Sequence, residues 1–78
     1  MPYFEIIWTD EIIDHLAQHG ITQDEFTEVV FDPEETTISR SSGLPAAIGD
    51  TSTGKHIICI NELLDDGIII LPSTAYEI

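Results

Sequence analysis

Few side chains in this sequence are equipped to handle a reacting anion or to move a proton. Arg40 is the single fork-shaped donor for an oxyanion, and Lys55 supplies a point charge. His19, His56 and Tyr76 could carry protons. Four of the five also have a plainer use. Arg40 and Lys55 suit local ion pairs with abundant acids, and His56 suits a solvated strand position. His19, just before Gly20, suits the end of a helix, where the dipole favours a cation. His15 and His19 stand four apart, a spacing at which two imidazoles on one helix face can share a metal, but no third or fourth ligand follows at a recognisable interval. Glycine-rich phosphate loops, a nucleophile elbow and paired zinc-type cysteines are absent, so neither cofactor nor metal is expected.

The charge balance constrains every functional reading. Asp and Glu total 15 against two Lys and Arg in 78 residues, a formal net charge of −13. Such a surface repels a phosphate backbone, because nucleic-acid affinity comes largely from cations that displace condensed counterions. Asp10, Glu11 and Asp14 cluster in one segment and Asp24, Glu25 and Glu28 in the next, where they read as helix starts and solvated faces. Their functional alternative is a docking surface for a basic protein.

Hydrophobic residues make up 42% of the chain and charged ones 22%, enough apolar material for one small folded domain spanning 1–78. Cys59 stands alone within His56-Ile-Ile-Cys-Ile60, has no internal disulfide partner and reads as a small buried hydrophobe, which suggests a reducing compartment. No signal-like segment or apolar run of membrane-spanning length is present, so a soluble, cytoplasmic protein is expected.

The elements that would position these residues are readable in order. Tyr3 to Trp8 suits a short strand. Thr9 caps a helix with the apolar stripe Ile12, Ile13, Leu16 and Ala17, closed by Gly20. Thr22 and Glu25 form a capping box flanked by Ile21 and Phe26 as a hydrophobic staple. The second helix buries Phe26, Val29 and Val30 and stops at Asp32-Pro33. Thr36 to Arg40, Ala46 to Asp50, Lys55 to Asn61 and Ile68 to Leu71 read as strands. Turns fall at Ser41 to Pro45, Thr51 to Gly54 and Asp65-Asp66-Gly67. Pro72 to Ile78 reads as an edge segment, since proline cannot donate a ladder hydrogen bond. The expected fold is α+β: an N-terminal strand and two helices packed on one face of a three- to four-stranded antiparallel sheet.

Trp8-Thr-Asp10, His19-Gly-Ile21, Phe31-Asp-Pro33, Ser39-Arg-Ser-Ser-Gly43, Gly54-Lys55 and Ser73-Thr-Ala75 together resemble toxins of the BrnT type, within the wider RelE-like class of small ribonuclease toxins. The resemblance spans nearly the whole chain. It implies the fold just described, metal-independent RNA cleavage, and inactivation by a basic, DNA-binding antitoxin. Arg40 and Lys55 would then hold phosphate, His56 or His19 would transfer protons, and Tyr76 would donate a hydrogen bond. Tyr76 stands where such toxins commonly carry a basic residue after the Ser/Thr-Ala pair, Leu44 stands where an arginine is expected, and the first helix lacks the family's lysine.

Two functions follow. One is a toxin of a type II pair, a metal-independent endoribonuclease. The other is a toxin-like binding module without catalytic cations, whose acidic face docks a basic protein. Expected partners are a basic antitoxin, RNA at a weak local site, and a second copy through an edge strand.

Overall fold

The computed structural model describes residues 5–64 and 68–78. The chain runs β1 (Glu5–Ile6), α1 (Asp10–Gln18), α2 (Gln23–Phe31), β2 (Glu35–Ile38), β3 (Pro45–Asp50), β4 (His56–Leu64) and β5 (Ile69–Glu77). The five strands form one sheet in the order β1-β5-β4-β3-β2. Neighbours from β2 to β5 pair antiparallel, whereas β1 runs parallel to β5, with Glu5 opposite Ile69 and Ile6 opposite Ile70. This corrects the expected antiparallel sheet of three to four strands to a five-stranded mixed one.

Local chemistry sets the helix ends. The Thr9 hydroxyl accepts from the Ile12 N–H at 3.2 Å and starts α1. Gly20, at φ 76°, ends it in a left-handed conformation; its N–H donates to Ala17 O, and the Ile21 N–H to Leu16 O. Both arms of the α2 capping box are made: Glu25 N–H to Thr22 Oγ1 at 3.1 Å, and Thr22 N–H to Glu25 Oε1 at 3.0 Å. Asp32, before Pro33, is the C-cap.

Leu16, Ile21, Phe26 and Val29 from the helical half pack against Ala47, Ile57, Cys59 and Ala75 from the sheet. These strand residues are cross-strand partners or lie two apart, so they share one face, and both helices cover it. Trp8 meets Phe26 edge-to-face at 5.5 Å between ring centroids, which makes it a packing aromatic. Tyr3 and the Asp65-Asp66-Gly67 turn lie outside the described residues.

The C-terminal segment departs from expectation. Ile69–Glu77 is one strand, not a strand followed by a separate edge piece. A bulge makes this possible: Ile60 faces Thr74 while Asn61 faces Pro72, leaving Ser73 extra. The added residue shifts the alternation, so buried Pro72 and buried Ala75, three apart, can both oppose core-side residues of β4. Because β1 pairs only with Ile69 and Ile70, no described strand flanks β5 beyond them. No helix among the described residues is long and apolar enough to cross a membrane.

Candidate functional site

The five side chains singled out from the sequence lie in three places. Arg40 is exposed in the turn between β2 and β3. Lys55 lies just beyond the opposite end of β3, past Asp50 and its turn; the six residues of β3 alone span about 17 Å. Those two cations therefore do not converge on one phosphate.

Lys55 turns toward the helices. Its Nζ donates to Gly20 O at 2.5 Å and to Glu25 Oε1 at 3.1 Å, with Glu25 Oε2 also at 3.1 Å. His19, the C-cap of α1, precedes Gly20, so His19 and Lys55 belong to the same corner between the helices. His56 takes the other face. Its Nδ1 lies 2.6 Å from Asp50 Oδ1, and both side chains are exposed. Tyr76 is opposite Ile58, two residues from His56, and shares this helix-free face.

The most organised polar cluster was not identified as such in the sequence. Glu25 is 4% exposed, the one buried acid among the described residues, whose other carboxylates are all exposed. Thr53 Oγ1 donates to Glu25 Oε2 at 2.5 Å. Since that proton goes to Glu25, the 2.7 Å contact between the Thr51 and Thr53 hydroxyls has Thr51 donating. Thr51 Oγ1 in turn accepts the Lys55 N–H at 3.0 Å. Alongside, Glu28 Oε1 accepts the Ser52 N–H at 2.7 Å. Burial raises the Glu25 pKa, but hydrogen bonds from Thr53 and the Thr22 backbone and the contact with Lys55 outweigh it, taking the carboxyl from 4.5 down to about 2. The α2 start is thereby fastened to the β3–β4 turn. The sequence signal was Glu25 at N3 of a capping box; its second set of partners comes from residues about 30 positions away.

Cys59 is fully buried, and burial pushes its thiol up to about 12, which makes it inert packing material. His15 Nε2 lies 3.0 Å from Thr74 Oγ1 and its ring meets His19 edge-on at 5.1 Å, so α1 is tied to β5 where no described strand flanks it. Between them runs a groove of about 530 Å³ lined by Glu11, Ile12, Asp14 and Gln18 of α1 and by Leu71, Pro72 and Ser73 of β5.

No family model, curated protein or solved structure matches the chain.

Proposed function

We propose that this chain is the acidic half of a two-protein pair, a BrnT-like domain that holds a basic partner rather than cutting RNA. The observation that carries this reading is the disposal of the cations. Lys55 is spent on Glu25 and the Gly20 carbonyl, while Arg40 is exposed in the turn beyond the far end of β3. What remains on offer is negative. The groove beside β5 combines the Glu11 and Asp14 carboxylates with a strand margin that has no described neighbour, and it suits an extended segment carrying Lys or Arg. A second copy at the same place would bring two chains of net charge −13 together, which like-charge repulsion opposes.

The test is anisotropy titration of a labelled Arg/Lys-rich peptide at rising salt, beside incubation of the protein with total RNA. Intact RNA is expected, with peptide binding that weakens about tenfold or more between 50 and 300 mM salt and is reduced in the double variant Glu11→Gln, Asp14→Asn. Salt-independent binding, or an unaffected double variant, would reject the groove.

A ribonuclease toxin is the second reading, and one observation favours it. Asp50 orients the exposed His56 imidazole on the face that also carries Tyr76, an arrangement suited to a general base with a nearby donor. RNA cleavage lost on His56→Ala would select this reading over the first.

A further inference from the structure

We propose that Glu34, Asp50 and His56 form a binding site for a first-row divalent metal ion, with Zn2+ and Mn2+ as the probes; this inference stands independently of the docking reading. Each residue offers one ligand atom, and the three atoms lie within 4.8 Å of one another. The residues come from three segments whose spacing is set by backbone pairing. Glu34 precedes β2 and donates its N–H to Ile48 O at 2.9 Å; Asp50 and His56 are opposite partners at the end of the β3–β4 ladder. Strand register thus gathers positions that show no motif in the sequence.

The donor set decides the class of ion. Two carboxylate oxygens with one imidazole nitrogen suit Zn2+, Mn2+ and their first-row neighbours, whereas Ca2+ and Mg2+ prefer oxygen alone. Metal–ligand distances of about 2.0–2.2 Å place donors on one ion about 3–4 Å apart, so small side-chain rotations bring this trio to coordination distance. The Asp50–His56 contact, at 2.6 Å, would open by about 0.5–1 Å to admit the ion. All three side chains are exposed, which leaves further coordination positions to water or to a ligand.

Electrostatics point the same way. Two carboxylates stand together here, and neither cation of the chain serves them: Lys55 is turned to the opposite face and Arg40 lies beyond the far end of β3. Their negative charge is part of a net charge of −13 that concentrates cations over the surface. The imidazole gives this place a specificity for transition metals that the scattered surface acids lack.

Calorimetric titration of the full chain with ZnCl2 and with MnCl2 tests the site, using wild type, His56→Ala, Asp50→Asn and His19→Ala, with circular dichroism to verify folding. One saturable equivalent is expected, with affinity at least about tenfold lower in His56→Ala and in Asp50→Asn and unchanged in His19→Ala. Paramagnetic Mn2+ should broaden the amide signals around residues 34, 50 and 56 before others. A titration without saturation overturns the proposal, as does retained affinity in folded His56→Ala. Loss in His19→Ala alone also overturns it, because the ion would then belong to the His15–His19 pair.

Discussion

Replacing Glu25 by Gln keeps the shape of the side chain and removes its charge, which isolates the electrostatic part of the junction between α2 and the β3–β4 turn. A carboxyl held at about 2 in the folded protein, against an ordinary 4.5, corresponds to on the order of 3 kcal/mol of folding stability. The Lys55 side chain is 32% exposed and partly screened, so about 2–3 kcal/mol is the expected cost at pH 7. A domain of this size has only about 4–12 kcal/mol in total. The sign follows from the lowered value: the stabilisation is fully present above about 4.5 and drains away as pH falls toward 2. Urea melts of wild type and Glu25→Gln at intervals from pH 7 to pH 2.5 should therefore show a gap that is widest at neutrality and narrows through the acid range. A gap of constant size across that range would refute the charge argument and leave only a packing effect. A gap below about 0.5 kcal/mol at pH 7 would place Glu25 among ordinary surface acids.

Thr22→Ala removes the other arm of the same capping box and should cost about 1 kcal/mol, read as a thermal shift of about 4–8 °C. Gly20→Ala meets no atom within 4 Å, so its cost should come from the left-handed backbone alone, about 1–2 kcal/mol in a urea melt. Arg40→Ala should change stability by less than about 0.5 kcal/mol, since Arg40 is exposed in a turn; a larger change in the melt would mean it has a structural partner. Cys59 should resist iodoacetamide at pH 8 in the native protein and react promptly in urea, which mass spectrometry can follow.

The parts of this fold that were legible in the sequence are those governed by neighbours along the chain. Thr9, Gly20, the Thr22–Glu25 box and Asp32-Pro33 place both helix boundaries within a residue or so because capping is a local hydrogen-bonding matter. The β3–β4 turn was equally plain from Thr51-Ser-Thr-Gly54. Pairing between distant segments was not legible. Nothing in Glu5-Ile6 announces a parallel partner at Ile69-Ile70, and Pro72 argued for a break that the bulge at Ser73 avoids. The polar constellations divide in the same way. Residue types picked out Arg40, Lys55, His56, His19 and Tyr76, but only register could show that they fall in three places. The same register brings Glu34 to Asp50 and His56.

The parallel pairing of β1 with β5 also constrains how the chain reaches this state. Among the described residues, strand β1 pairs with residues 69 and 70, so on an emerging chain this pairing must wait until β5 has been made. The two helices, whose ends are set locally, can take shape long before, with the apolar stripe of Leu16, Ile21, Phe26 and Val29 still lacking Ile57, Cys59 and Ala75. Folding is therefore a late closure: the loop between β1 and β5 is nearly as long as the domain, which makes closure slow for so small a protein. During that interval the many like charges, repulsive between molecules, keep half-finished chains apart.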